Sequence, residues 1–425
     1  MSAKRNHIIV FEHQTLKLDK EIDGQKLKAL QTYYGTNGVP YFDLIHNGVR
    51  FKEYVGVIQV GDMVIEVLPK ADNVSNSTEE KNKWHRILID MMRAVGLFEI
   101  HAPSSTTLKL KSNSILDLYF ELFIKEVEYL LHNGLIKQYR KKEGNVTALK
   151  GSLKFGKHIQ QNLIHQERFY VRHTTYDVEH KLHYILYKTI RLLKQISTNV
   201  ALHSRIGALL LHFPEMPEIK VTDATFEKLV LNRKNQSYKK AIEIAKLLLL
   251  QYHPDISKGK NHVLALMFDM NMLWEQFVYV SLRKNRDAFN TITAQTSKPF
   301  WKPDLGYNSK IRPDIVLNKD EAGCIVLDTK WKNLNGYNPS TDDLRQMYVY
   351  HEYYGAKRVA LVFPGNPKNG GKGTFHPSPN SPEMDKECSI VLLEVPEKSE
   401  SNKSIVKIWQ ENIGSQILGW ISGNA

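Results

Sequence analysis

The sequence predicts a multidomain α/β protein with a β-rich N-terminal module, a mostly helical middle domain and a C-terminal α/β domain. Three observations carry this expectation. Two apolar runs, Val55–Val60 and Met63–Leu68, flank Gly61-Asp62, and a two-residue separation of that kind signals a β-hairpin. Trp84, Ile87, Leu88, Met91, Met92 and Val95 recur at helical spacing, and a longer apolar stretch runs from Ser114 to Leu131. Beyond about residue 255 the pattern turns to helix, strands, helix, strands, the order of an α/β sandwich with a mixed sheet. At 425 residues the chain exceeds what one hydrophobic core usually serves. The expected domains cover residues 1–72, 83–250 and 255–425.

In the first region Ile8–Phe11 opens a strand, a helix is expected near Gly24–Tyr34, and Pro69 ends the ladder after Leu68. The result expected is a small barrel-like module, better suited to interaction than to catalysis. Ala71–Asn82 is polar and turn-rich and reads as a linker. In the middle region the Ser114–Leu131 helix ends at Asn133-Gly134, a C-cap signature. Further helices are expected over about 178–196, 202–211 and 236–252, interrupted by basic strands around 135–175. In the last region Val263–Leu282 reads as an amphipathic helix. A hairpin, a helix over Thr341–Tyr354, a buried strand Arg358–Pro364, a Gly- and Pro-rich loop Gly365–Pro382 and a strand Cys388–Val395 follow.

Composition narrows the function classes. No apolar run approaches the roughly 20 residues of a membrane span. Met1–His7 leads directly into a strand-like stretch without a signal-peptide core. Cys324 and Cys388 are the only cysteines and lie in apolar strand-like segments, so buried free thiols in a reducing, cytoplasmic compartment are expected. The formal charge is +13, from 58 basic and 45 acidic residues, which favours polyanionic partners. Between Lys137 and Arg172, nine Lys or Arg face only Glu143 and Glu167, with aromatics interleaved. Lys141, Lys142, Lys150, Lys154 and Lys157 are therefore candidate DNA-backbone contacts; a basic surface without a specific ligand has the same composition.

The chemistry concentrates in the hairpin. Ile311–Leu317 and Cys324–Lys332 are joined by a polar turn ending in Gly323. Side chains alternate faces along a strand, so Asp328 and Lys330 share one side. If Asp314 lies opposite them, two carboxylates and an ammonium converge. Such carboxylates hold a hard cation such as Mg²⁺, which polarises a phosphate and acidifies a bound water, while a lysine orients that water or neutralises developing charge. A charged pair on a strand is also the ordinary pattern of a solvated face.

Pro313-Asp314 followed by Asp328-Thr329-Lys330 resembles the signature of the PD-(D/E)xK nuclease superfamily. Its RecB-like branch places a helix glutamate beside the strand carboxylates. By that resemblance Glu275, in Leu273-Trp274-Glu275-Gln276-Phe277-Val278, is a further metal ligand or orients one; a surface glutamate is the alternative. Gln346 and Tyr350 lie one helical turn apart on one face and resemble the Gln-x-x-x-Tyr accessory motif of the same branch, although a structural glutamine packed on a tyrosine reads alike. The resemblance also implies Asp314, Asp328 and the Thr329 carbonyl as metal ligands.

The wider chain resembles the McrC family, the nuclease subunit of modified-cytosine-dependent restriction systems. The match includes Ile65–Lys70, Leu149–Phe155, Tyr176–Leu182, Leu273–Val278, Arg312–Asp314 and Leu327–Lys332; the family often has tyrosine where Trp331 stands. It implies a Mg²⁺-dependent endonuclease acting on double-stranded DNA with modified cytosine. It also implies an McrB-like hexameric AAA+ GTPase partner, which binds the GTP and receives the N-terminal part of this chain. In agreement, Gly370–Thr374 lacks the leading glycine of a phosphate-binding loop and has Gly373 where Ser or Thr should follow the lysine. A non-cleaving adaptor that activates the GTPase and a stand-alone repair nuclease are the rival readings. His180 and His183 lack a clear third ligand and are expected to pack or lie at the surface.

Overall fold

The computed structural model describes residues 7–17, 22–36, 38–70, 77–96, 114–253, 262–284, 289–321, 323–334, 338–376, 386–397 and 403–423. Residues 71–76 of the expected 71–82 linker and the end of the 365–382 loop lie outside these residues, while 78–82 already form the first turn of the helix Thr78–Ala94, capped by Ser77. The chain divides into two compact units. One is built on Ile58–Met63 and Ser104–Leu266, the other on Asn6–Val57, Val64–Pro103 and Met267–Ala425. The N-terminal strands thus share a unit with the C-terminal region, and no compact unit ends at residue 72.

In the unit containing the C-terminal region, a six-stranded mixed sheet runs in the order Ile292–Ala294, Ile315–Leu317, Ile325–Thr329, Arg358–Pro364, Glu387–Leu393, Gly371–Thr374. The two central pairings, Ile325–Thr329 with Arg358–Pro364 and the latter with Glu387–Leu393, are parallel; the outer ones are antiparallel. Alternation sorts the side chains. Val316, Val326, Val359, Leu361 and Phe363 pack with Met347, Tyr350 and Tyr354 of the helix Thr341–Tyr354. That helix starts at Ser340, whose hydroxyl accepts from the Asp343 N–H, and stops at Gly355 in the left-handed conformation.

A second aromatic core binds the N-terminal elements to this unit. Trp331 meets Trp84 at 6.3 Å and Trp274 at 5.4 Å between ring centres, and Trp274 meets Trp409 of the C-terminal helix Ile405–Ser422 at 5.2 Å. The Trp331 indole N–H donates to Glu12 Oε1 at 2.7 Å, and the Lys70 N–H donates to the same oxygen at 2.6 Å. His7–Phe11 pairs in parallel with Val64–Leu68. Thr15–Lys17, Gly48–Phe51 and Phe42–Ile45 form a separate antiparallel sheet, with the expected helix at Gly24–Tyr34. The N-terminal strands fall into two sheets, so the barrel-like module expected from sequence does not form as one closed ladder.

The other unit contains helices Ile115–His132, Lys181–Ile196, Val200–His212 and Lys239–Leu250. A long antiparallel ribbon, Gln138–Val146 with Phe169–Asp177, carries the basic strands. His183 is buried, its Nε2 2.9 Å from the Tyr238 hydroxyl, and burial holds its pKa down at about 4. Its role is packing, and the His180 ring accepts from the Leu182 N–H at the start of the helix.

Two sequence expectations change. Val263–Leu282 is not one helix: Val263–Asp269 is a strand and the helix is Met270–Lys284. Val263 to Leu266 are four consecutive buried residues, which a strand buried on both faces accommodates and a one-sided helix does not. Asp269 then accepts from the Asn271 N–H at 2.8 Å and opens the helix. Within the 365–382 loop, Gly371–Thr374 adds an edge strand against Glu387–Leu393; its glycines have no side chain to bury, so apolar periodicity gave no sign of it. The helix Ile405–Ser422 was not anticipated.

Two buried carboxylates titrate in opposite directions. Burial pushes Glu66 up, but hydrogen bonds and charge from His7 and His85, at 3.2 and 3.3 Å, outweigh it and hold the group at about 2. Burial drives Glu12 up to about 7 despite the Lys70 and Trp331 N–H donors. Glu66 therefore contributes stability above its ordinary value of 4.5, lost as pH falls toward 2, whereas Glu12 loses stability as pH rises from 4.5 through 7. Urea unfolding followed by tryptophan fluorescence should show Glu66→Gln less stable by about 3 kcal/mol at pH 7, and Glu12→Gln more stable by up to about 3 kcal/mol at pH 8.

Candidate active site

The hairpin register sets Ile315 opposite Leu327, which brings Asp314, one residue earlier, to the end of the strand that carries Asp328. Thr329 fixes the relation. Its N–H and its hydroxyl both donate to Asp314 Oδ2, at 2.7 and 2.8 Å. Lys330 turns back to the same side as Asp328 and places Nζ 2.7 Å from Asp328 Oδ2. The strand continues in register here, since the Lys330 N–H donates to the Val362 carbonyl. The convergence inferred from alternation is present.

The electrostatics follow from burial. Asp328 is 1% exposed. Desolvation, reinforced by the Asp314 charge, raises its pKa to about 7 against the pull of Lys330. Burial draws Lys330 down, but the charge and hydrogen bond of Asp328 outweigh this and leave its pKa raised, so it is firmly an ammonium. Glu275 lies on the helix Met270–Lys284 and is half-buried. Burial and the Asp314 charge raise its pKa, which puts it in electrostatic reach of the pair.

Gln346 and Tyr350 have a defined task. Gln346 Nε2 donates to the Tyr350 hydroxyl at 2.7 Å, and that hydroxyl donates to the Arg312 carbonyl at 3.0 Å. The motif pins the backbone two residues before Asp314. Sequence reading missed three other supports. Gln295 donates its N–H to the Asp314 carbonyl at 2.9 Å and its side-chain amide to Glu275, and it holds a left-handed backbone at φ 53°. For a non-glycine residue this is a strained conformation of the kind stored at functional sites. Asn271 Oδ1 accepts from the Trp331 N–H at 3.0 Å, and Asp343 binds Lys332 at 2.6 Å. Lys332 and Asp343 lie in segments that the sequence singles out, though not for this contact; Gln295 and Asn271 meet the site through tertiary contacts that no spacing encodes.

Beside the carboxylates runs an open cleft of about 750 Å³, lined by residues that include Gln295, Phe300, Lys310, Arg312, Gln346 and Tyr350. Among the described residues no three His, Cys, Asp or Glu side chains form a closed metal cage. The donors present are two carboxylates, one pushed toward neutrality by burial and by the other's charge, with the Thr329 backbone between them. That set suits a small hard cation that keeps several waters and takes only one or two protein carboxylates. The five candidate DNA-binding lysines lie in the other unit. Lys142 is paired with Asp177 at 3.1 Å and Lys157 with Glu143 at 3.5 Å, while Lys141 and Lys150 are exposed and Lys154 half-buried.

Comparison with known proteins extends this picture. The profile of the McrBC 5-methylcytosine restriction system component family matches residues 49–364. The chain belongs to this family. The matched stretch contains every segment on which the sequence resemblance to McrC rested, so the McrBC kinship read from those segments is borne out. A chain in the refined half-complex from the tetradecameric assembly of Thermococcus gammatolerans McrB AAA+ hexamers with bound McrC shares the fold, with a TM-score of 0.69 at 19% identity, covering 96% of this chain and 99% of that one. The cryo-EM structure of the Thermococcus gammatolerans McrBC complex also aligns, with a TM-score of 0.49 at 20% identity, covering 66% of this chain and 88% of that one. No curated protein matches the chain.

Tyr350→Phe removes both hydroxyl contacts and leaves the Arg312 carbonyl without that donor. It should cost about 1–3 kcal/mol in urea unfolding. Gln346→Ala, which leaves the Tyr350–Arg312 bond in place, should cost less, and equal losses would show that the hydroxyl is not the pin.

Proposed function

We propose that the chain is the DNA-cleaving subunit of a modified-cytosine-dependent restriction complex. In this reading it is a Mg²⁺-dependent endonuclease of the PD-(D/E)xK type that works with an McrB-like hexameric AAA+ GTPase. The observation that carries the proposal is the convergence of Asp314, Asp328 and Lys330 at one strand end, within a member of the McrBC family. The partner assignment is supported by fold likeness to a chain from an assembly of McrB hexamers with bound McrC. Modified cytosine as the target is supported by the family itself.

Asp314 and Asp328 would hold the cation, with the Thr329 carbonyl and Glu275 as supporting donors. When bound, Mg²⁺ supplies a polarised phosphate oxygen and a water acidic enough to attack. The protein's own share is positional and electrostatic. Thr329 fixes the Asp314 carboxylate through two donors, so little reorganisation is needed on substrate binding. Asp328, desolvated and beside another anion, gains from any positive charge placed on it. Lys330 stays charged and, beside Asp328, would neutralise negative charge that grows in the transition state and orient the attacking water. Exposed Lys141 and Lys150, with Lys154, would hold the DNA backbone, so their loss should weaken binding in a salt-dependent way.

Cleavage of methylated plasmid with Mg²⁺, GTP and the GTPase partner tests the proposal. Asp314→Ala, Asp328→Ala and Lys330→Ala should each abolish cutting and leave co-elution with the partner and stimulated GTP turnover intact. Undiminished cutting by Asp328→Ala would sink the assignment, and cutting without partner or GTP would remove the motor from it.

A further inference from the structure

The hairpin Lys298–Trp301 with Ser309–Ile311, which forms one wall of the cleft, has a surface the catalytic reading does not use. Its strands pair as a two-stranded ribbon separate from the main sheet. Trp301 is 60% exposed, and at the tip Leu305 is 92% and Tyr307 99% exposed. Apolar groups of this size are not left in water by packing failure here, because the ribbon's base is firmly seated. Phe300 packs on Tyr353 with ring centres 5.1 Å apart, and Lys298 donates to the Tyr353 carbonyl and sits over the Tyr354 ring.

The ribbon is also uncompensated in charge. Lys302, Lys310 and Arg312 are exposed, and among the described residues none has a carboxylate within 4 Å; Asp304 is the single acid between Lys298 and Arg312. Lys310 and Arg312 line the cleft that leads to Tyr350 and Gln346, and Arg312 is two residues from Asp314. Cations flanking exposed rings fit a polyanion that also offers apolar faces. A protein interface would deplete lysine from such a centre, whereas a two-stranded ribbon fits the major groove of duplex DNA with its cations on the flanking phosphates.

We propose that this ribbon is a DNA-contacting element of the active site. Lys302, Lys310 and Arg312 hold phosphates beside the scissile bond, and Leu305 and Tyr307 at the tip lie against base edges in the groove. The proposal rests on the nuclease reading for its purpose, but its test does not. Binding of the full-length protein to a fluorescein-labelled duplex is measured by anisotropy in EDTA, where cutting cannot occur, across a salt series. The double variant Lys302→Ala/Lys310→Ala should bind about 10-fold or more weakly at low salt, with the slope of log K against log salt reduced by about 2. Tyr307→Ala should bind about 5- to 10-fold more weakly with the slope unchanged, since an apolar groove contact carries no charge. All are surface changes, so melting temperatures should match the wild type. Unchanged DNA binding in both variants overturns the proposal, as does intact DNA binding with lost co-elution of the GTPase, which would make the ribbon a protein-docking element. Loss of binding in the variants upholds it even if the wild type proves unable to cut, a result that would count only against the nuclease reading.

Discussion

A carboxylate placed out of water at the end of a β-strand is costly, and the surrounding structure is organised by that placement. Asp328 follows Ile325, Val326 and Leu327, all buried, so the strand carries it into the interior as part of the sheet's own register. Desolvation works against its ionised form. The relief comes from very near: Lys330, two residues on and on the same side, and the geometry that Thr329 imposes on Asp314 from the residue between. Three consecutive positions therefore supply a buried acid, the clamp for its neighbour and a counter-charge. Because a one-residue slip would reverse all three, the pairing of this strand with both neighbours is under chemical as well as packing constraint.

The opposite side of the same strand end explains how the register is held. Trp331 points away from the acids into a group of tryptophans contributed by the helices Thr78–Ala94, Met270–Lys284 and Ile405–Ser422. Its indole N–H is satisfied by Glu12, from the N-terminal region. Tyr350 acts from the other face on the strand that delivers Asp314. The two aspartates are thus positioned by Trp331 and Tyr350, whose indole N–H and hydroxyl are both hydrogen-bonded, so that large buried surface and directional hydrogen bonding act at the same points.

What the sequence disclosed and what it hid divide along one physical line. Asp328, Thr329 and Lys330 are adjacent, Gln346 and Tyr350 are one turn apart, and the Thr341–Tyr354 helix carries its own cap and stop; each of these is local. The grouping of Glu12 and Trp84 with Trp331, the bridge from Gln295 to Glu275, and the support of Trp331 by Asn271 join residues from 20 to more than 300 positions apart. Periodicity also failed where burial was two-sided, at Val263–Asp269, and where there was nothing to bury, at Gly371–Thr374. Lys142 and Lys157 show the limit of charge counting: a run of basic residues was visible, but not that Asp177 and Glu143 already engage two of them.

The division of the chain into compact units falls within secondary structure, at Ile58 and Met63 in the hairpin and after Leu266 in the strand Val263–Asp269. At these three points the polypeptide passes between the units in mid-strand. The region that carries Asp314 and Asp328 is consequently not a transferable cassette. A fragment beginning near residue 255 would lack Glu12 and Trp84, uncovering the indole edge of Trp331 beside the acids. A cut at that point would remove strands that the rest of the sheet pairs with, not a peripheral tether.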